Sequence, residues 1–266
     1  MIIQIYEIQT REEARSMIEL GVDHIGSVIL SKDDWKSATI KDSIEYVADN
    51  PAKSSLIPLY NHADTIFYTL EYYKPDIVHF CEDLSTLLST QEEIDRLMDL
   101  QKQVKKRFPQ IAIMRSIPIA LPGLSNEVNS IEIARIFEPV SDFFLTDTLL
   151  TVPEKKKTGE KKAGEEKTGE KKTDLQQPVS GFVGITGQIC DWDMAKKLVE
   201  TTQIPVILAG GLSPENVFQG IEKIGPAGVD SCTATNAVDK HGKPIRFKKD
   251  LKKVKSFVNA ARSLDF

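Results

Sequence analysis

The sequence predicts an α/β fold of a single domain, a closed (β/α)8 barrel of the TIM-barrel type, on three observations. Short β-branched runs alternate with amphipathic stretches along the whole chain, which implies parallel strands joined by right-handed helical crossovers. Eight such units can be traced, and 266 residues suit eight units closed on themselves. The first strand–helix turn, Glu7-Ile8-Gln9-Thr10, lacks the glycines of a dinucleotide fingerprint, which argues against an open, doubly wound sheet.

The elements follow in order. Strands are expected at Ile2–Ile8, Asp23–Leu30, Ser55–Tyr60 and Asp76–Phe80, then at Ile111–Ile117, Ser141–Asp147, Ile204–Ala209 and Gly228–Ser231. Helical patterns lie between them, beginning with Arg11–Leu20, where Ala14, Met17 and Ile18 fall at helical spacing. The others are Ile44–Ala48, Thr65–Tyr73, Gln91–Phe108, Ile131–Phe137, Asp193–Glu200 and Glu215–Ile224, with Leu251–Ser263 closing the chain.

One segment interrupts the rhythm. Residues 153–178 form a lysine, glutamate, glycine and threonine tract with a loose Lys-Thr-Gly-Glu-Lys repeat. So few apolar residues cannot offset the entropy of ordering, so a disordered insertion after the sixth strand is expected. Its charges nearly cancel, which argues against a basic binding tail. Loops after strands lie on a barrel's active face, so the insertion is placed to shade the mouth.

Composition narrows the function. Hydrophobic residues make up 41% and charged residues 27%, ordinary for a globular domain with a sizeable core. The formal net charge of -5 speaks against a nucleic-acid partner. Cys81, Cys190 and Cys232 are widely spaced and form no C-x-x-C pair, so they read as reduced thiols. No apolar run reaches the length of a membrane span, and Met1 leads into a strand without a basic leader, so no membrane partner and a cytoplasmic location are expected. Nothing specifies a monomer over a homodimer.

The sharpest local pattern follows the seventh strand. The run Ile204-Pro205-Val206-Ile207-Leu208-Ala209 leads into Gly210-Gly211-Leu212, and Ser213-Pro214 then reads as N-cap and first helical residue. Glycines admit close approach of the backbone to an anion, and free amides point at it, so a small phosphorylated ligand is the expected partner. In isolation the pair also reads as a tight turn. The segment Asp230-Ser231-Cys232-Thr233-Ala234-Thr235 ends the eighth strand, where its amides and hydroxyls would complete the cradle.

These residues resemble the phosphoribosylanthranilate isomerase family. Ala209-Gly210-Gly211-Leu212-Ser213-Pro214-Glu215-Asn216-Val217 is close to the family's A-G-G-L-N-P-E-N-V. Gly184-Ile185-Thr186-Gly187 followed by Asp191-Trp192 is similar to its G-G-T-G…F-D-W, and Phe144-Leu145-Thr146-Asp147-Thr148 to its L-L-D-[ST]. Near the start, Gly21-Val22-Asp23-His24-Ile25-Gly26 follows its G-A-D-x-[IL]-G. The resemblance implies an aldose–ketose isomerisation, the Amadori rearrangement of tryptophan biosynthesis. An acid, here Asp147, protonates the ring oxygen and a base removes the C2 proton. It implies phosphate and substrate contacts at Gly184, Thr186, Gly187, Gly210, Gly211, Leu212, Cys232, Thr233 and Ala234.

The sequence departs from the family at the base. Where the family has K-I-C-G-I-T, this chain reads Gln4-Ile5-Tyr6-Glu7-Ile8-Gln9, so Tyr6 stands at the cysteine position. A phenol titrating near pH 10 is a poor proton acceptor at neutral pH. Glu7 is chemically the better base, although strand alternation points it away from Tyr6, and Cys81 is a further candidate. The family's Q-L-H-G becomes His79-Phe80-Cys81-Glu82, and its arginine after the second strand falls near Trp35 or Lys36. Lys36, His79 and Arg115 are therefore candidate ligand contacts; Arg115 also reads as a rim ion pair, and Asp147 as a turn cap. Only His79 and Asp147 are placed like metal ligands, too few for a site, so neither metal nor other cofactor is expected. The competing expectation is a diverged barrel that binds or converts another small phosphorylated metabolite without isomerase activity.

Overall fold

A computed structural model describes residues 1–85, 90–124, 128–150 and 177–263. Eight parallel strands form a closed barrel in sequence order: β1 (Ile2–Ile5), β2 (His24–Ile29), β3 (Lys53–Pro58), β4 (Ile77–Phe80), β5 (Ala112–Ala120), β6 (Phe143–Leu149), β7 (Val206–Leu208) and β8 (Gly228–Ser231). Strand β1 closes the ring against β8 with Gln4 opposite Asp230 and Ile5 opposite Ser231. The helices are α1 (Arg11–Glu19), α2 (Ala38–Ala48), α3 (Ala63–Tyr73), α4 (Gln91–Arg107), α5 (Ser130–Phe137), α6 (Trp192–Thr201), α7 (Val217–Ile224) and α8 (Leu251–Arg262).

Local chemistry explains the element ends. Thr10 and Glu13 form a capping box at α1: the Glu13 amide donates to Thr10 Oγ1 at 3.3 Å, and the Thr10 amide to Glu13 Oε2 at 3.2 Å. Helix α7 starts one turn later than its sequence suggests. Asn216, not Ser213, is its N-cap, because Asn216 Oδ1 accepts from the Ser213 amide at 2.8 Å and folds residues 213–216 into a separate turn. Helix α2 begins at Ala38, because Ser37 Oγ accepts from the Ile40 amide.

The strand pleat sorts the core. Ile3, Ile5, Phe144 and Leu208 face outward and pack with helix residues such as Met17, Phe137 and Phe257. Inward, Gln4 crosses the lumen: its Nε2 donates to Asp230 Oδ1 at 3.1 Å, and its Oε1 pairs with His24 Nδ1 at 3.2 Å. Gln4 thereby gives the buried Asp230 and His24 a hydrogen-bond partner each.

An antiparallel hairpin, β9 (Asn236–Val238) with β10 (Pro244–Lys249), lies between β8 and α8 and was not anticipated. Its turn is held by Asp239, whose carboxylate accepts the amides of His241 and Lys243 while Gly242 adopts φ 78°. The disorder expected for 153–178 lies outside the described residues except at its last two, where Gln177 Nε2 donates to the Thr148 carbonyl at 3.3 Å. No helix among the described residues is long and apolar enough to cross a membrane.

Candidate active site

The C-terminal ends of the strands surround a cavity open to solvent. Of the residues singled out by sequence, Tyr6, Glu7, His79, Cys81, Asp147, Thr186, Gly187, Gly210, Gly211, Leu212, Cys232, Thr233 and Ala234 all line it. Three do not. Lys36 is exposed and lies 5.0 Å from the centre of the Trp35 ring and 5.6 Å from that of Tyr72, so its cation is held on an aromatic surface away from the cavity. Arg115 is fully buried behind β5, where its Nε donates to Gln101 Oε1 at 2.7 Å and its guanidinium pairs with Glu82. It also lies over the Phe80 and Phe137 rings, so it is neither ligand contact nor rim pair. Gly184 supports the site from behind: it adopts φ 97°, and a Cβ there would stand 2.1 Å from Asp147 Oδ2.

The glycine pair is required twice over. Gly210 and Gly211 have φ 88° and 66°, and a Cβ on either would strike Thr148 Oγ1 at 2.5 Å or the Gln188–Ile189 backbone at 2.6 Å. That contact seats the loop carrying Thr186 and Gly187 directly against the pair. Among the described residues neither glycine amide donates to a protein acceptor, while both residues line the cavity. The pair thus makes the tight turn and also presents its backbone to the cavity.

The opposite wall is closed. The Tyr6 ring lies across β2 where Gly26 leaves room, since a Cβ on Gly26 would come within 2.1 Å of the ring. Its phenol is 2.6 Å from Ser55 Oγ and 2.7 Å from His79 Nδ1, and His79 Nε2 is 2.8 Å from Ser116 Oγ. Burial pushes the Tyr6 phenol well above its ordinary value despite the Ser55 bond. Burial, helped by the charge of Arg115, lowers the His79 imidazole to about 3. Both ring nitrogens of His79 are engaged, so this chain of contacts fixes the wall and leaves no free base.

Glu7 is also engaged. It follows β1 at φ 65°, a position the family gives to glycine, and its carboxylate turns toward the hairpin. There it accepts Arg246 Nε at 2.7 Å, Asn236 Nδ2 at 2.8 Å and the Phe247 amide at 3.2 Å. Burial alone would raise its proton affinity, but these three bonds outweigh burial and hold the group below the usual carboxylate range. Glu7 therefore anchors the hairpin instead of acting as a free base. Burial likewise raises the Cys81 thiol well above its ordinary value, further opposed to ionisation by the nearby Glu82 and Asp147 charges.

Two carboxyls remain. Asp147 stands on β6, its Oδ1 accepting the Thr148 amide at 3.0 Å, and burial lifts it to about 7. Asp230, on β8, is 6% exposed and likewise lifted to about 7, first by burial and then by the Asp147 charge, against the Gln4 bond. The sequence reading included Asp230 in the cradle for its backbone and overlooked its carboxyl. Strand alternation offered the signal, because Asp230 shares the inward face with Cys232. Among the described residues no group of three His, Cys, Asp or Glu is arranged to hold a metal ion.

A closed parallel barrel with paired glycines after β7, a second loop after β8 and an acid on β6, all at one cavity, defines an enzyme-like (β/α)8 barrel with its candidate site at the C-terminal strand ends. The family model for N-(5'phosphoribosyl)anthranilate (PRA) isomerase matches residues 125–260, and the chain belongs to that family. It is 28% identical over 266 residues to N-(5'-phosphoribosyl)anthranilate isomerase 2 of Methanosarcina mazei, covering 99% of this chain and 95% of the relative. A monomeric form of the dimeric phosphoribosylanthranilate isomerase from Thermotoga maritima superimposes with TM-score 0.62 at 18% identity, covering 98% of this chain and 99% of that one. A phosphoribosyl anthranilate isomerase in complex with reduced 1-(o-carboxyphenylamino)-1-deoxyribulose 5-phosphate superimposes with TM-score 0.60 at 17% identity, covering 98% and 99%.

Proposed function

We propose that this chain is a phosphoribosylanthranilate isomerase, converting the phosphoribosylamine of anthranilate to its ketose by an Amadori rearrangement. The observation that carries the reading is Asp147, held on β6 facing the cavity with burial lifting its carboxyl to about 7, so that it can carry a proton near neutral pH. A neutral carboxyl there protonates the ribose ring oxygen as the C1–O bond opens. Gly210, Gly211, Thr233 and Ala234 receive the 5-phosphate at one side of the cavity. Across from them Val28, Ile57 and Leu59 present an apolar wall suited to the anthranilate ring. All of these groups come from one chain, so a monomer and a homodimer would each carry complete sites. The substrates are soluble metabolites, in keeping with the expected cytoplasmic location.

The test is turnover of freshly generated phosphoribosylanthranilate, followed by loss of its fluorescence. The expected result is activity in the natural protein and a loss of about 10²–10⁴-fold in Asp147→Asn. Equal activity of the two would remove Asp147 from the chemistry. The engaged Tyr6 phenol favours a second reading, a barrel that binds a phosphorylated metabolite without isomerising it. That reading predicts no turnover but a melting temperature raised by phosphate ligands.

A further inference from the structure

We propose that Asp230, on the eighth strand, is the general base that removes the C2 proton, in place of the cysteine that Tyr6 displaces. The assignment rests on the isomerase reading above and deepens it.

Register places the two carboxyls together. Leu145 on β6 is paired with Ile207 on β7, and Ile207 with Gly228 on β8. Two residues further along each strand, Asp147, Ala209 and Asp230 therefore share one rung and face the lumen on the same side of the pleat. Between them on that rung stands the small Ala209, both acids line the cavity, and they are near enough that the Asp147 charge acts on Asp230. In this assignment the C1–C2 end of a sugar whose phosphate lies at Gly210–Gly211, one residue beyond that rung, would sit between the two acids.

The other protonatable groups of the cavity are committed or unfit. Tyr6 and His79 are tied to each other and to Ser55 and Ser116, and Glu7 is tied to the hairpin. Cys81 and Cys232 are both pushed up by burial, so neither supplies a thiolate at neutral pH. Asp230 makes one described side-chain hydrogen bond, from Gln4 to Oδ1. Its other oxygen has no described hydrogen-bond partner. Tyr6, just after β1, and Asp147 of β6 face it with negative or neutral groups, and Lys249 of β10 adds a positive charge. Cys232 stands just past the end of β8, and behind Gln4 stands His24, lowered by burial to about 4 and therefore neutral.

The proton accounting closes. Asp147 gives its proton to the ring oxygen as the C1–O4 bond breaks, leaving an iminium at C1. Ionised Asp230 takes the C2 proton, and the C2–H electron pair forms C1=C2 while the iminium electrons return to nitrogen. The resulting enaminol becomes the ketone by gaining a proton at C1 and losing one from the C2 hydroxyl. Two carboxyls titrating in the same range and opposing each other's ionisation favour the state with one proton between them, which this sequence requires.

The test compares natural protein with Asp230→Asn, an isosteric change, in turnover, in pH profile and in binding of the reduced product analogue, reduced 1-(o-carboxyphenylamino)-1-deoxyribulose 5-phosphate. The expected result is a kcat lower by about 10²–10⁴-fold, unchanged melting at pH 5.5, analogue binding retained, and loss of the limb on which kcat rises with pH. Formate restoring part of the rate to Asp230→Ala would be the matching sign of a missing carboxylate. Turnover of Asp230→Asn within about threefold of the natural protein would overturn the assignment, as would equal loss of analogue binding and rate, which marks a structural role. A natural protein with no turnover would remove the isomerase reading itself, and this assignment with it.

Discussion

The two walls of the cavity are built on opposite plans. On the C-terminal wall, β6 to β8 present groups with spare capacity: two glycine amides without an acceptor among the described residues, and carboxyls holding one described hydrogen bond each. On the N-terminal wall, β1 to β5 present groups already satisfied by one another, in the line Ser55, Tyr6, His79, Ser116. The first wall keeps its chemistry available at the cost of burying ionisable groups, and the second gives up chemistry for a closed network. Reactivity in this barrel is therefore expected where hydrogen bonding is incomplete, and stability where it is complete.

The largest break in that contrast should come from Gly211→Ala. Its Cβ would meet backbone at 2.6 Å at a φ of 66°, so the Gln188–Ile189 segment must move and drag Thr186 and Gly187 with it. Activity at subsaturating substrate should fall by more than about tenfold, with KM carrying most of the loss and stability falling by about 1–3 kcal/mol. Steady-state kinetics and thermal melting check both; a KM unchanged beside a lowered melting temperature would show that the pair serves the turn and not the phosphate.

A second break uses pH. Asp147 and Asp230 bind protons more tightly when folded, each at about 7, than an unfolded chain does near 4. The folded state thus holds protons that the unfolded state releases, and stability present below pH 4 is lost as pH rises through 7. Between pH 5.5 and 8.5 the natural protein should lose about 2–4 kcal/mol from this pair. In Asp230→Asn that loss should roughly halve, read from urea melts at the two values. An unaltered loss would place the pair's burial in doubt.

The same contrast separates what the sequence disclosed from what it did not. All eight strands were legible, and Gly228–Ser231 to the residue, because strands buried on both faces read as short, mostly apolar or small runs between polar turns, with Asp230 the charged exception in that one. Asp147, Gly210 and Gly211 were legible as well, since each stands where a strand ends and a loop begins. The hairpin at 236–249 was hidden, because its strands alternate over a half-exposed surface and carry lysine and arginine instead of a hydrophobic face. The commitment of Glu7 depended on that hairpin: its partners Asn236, Arg246 and Phe247 are more than two hundred residues away, and no local pattern reports them. Arg115 misled for a related reason. Pleat parity sends it outward to Gln101, but the strand carried no polar alternation that would have shown which face was inside.

Tyr6→Phe tests the closed wall with a smaller effect. The substitution keeps the ring over Gly26 and removes only the hydroxyl, leaving Ser55 and His79 short of a partner in a buried place. A loss of about 1–3 kcal/mol in stability is expected, with kcat within about threefold of the natural value. A collapse of kcat at preserved stability would return the phenol to the chemistry and reverse the division between the walls.

The smallest effect is expected at Lys36, the residue nearest the family's arginine position. Its ammonium rests on the half-buried Trp35 and Tyr72 rings, an arrangement contributing about 0.5–1 kcal/mol. If that is its whole role, Lys36→Ala should leave KM for phosphoribosylanthranilate unchanged and also leave the salt dependence of KM unaltered. An electrostatic contact to the substrate predicts the reverse: KM would rise at low ionic strength, and added salt would narrow the gap between variant and natural protein. The salt series decides between them because packing on an aromatic face is insensitive to the substrate's charge. A rise in KM would mean that the N-terminal wall moves its cation into the cavity on binding and retains a share of the recognition that its closed network otherwise assigns to the opposite side.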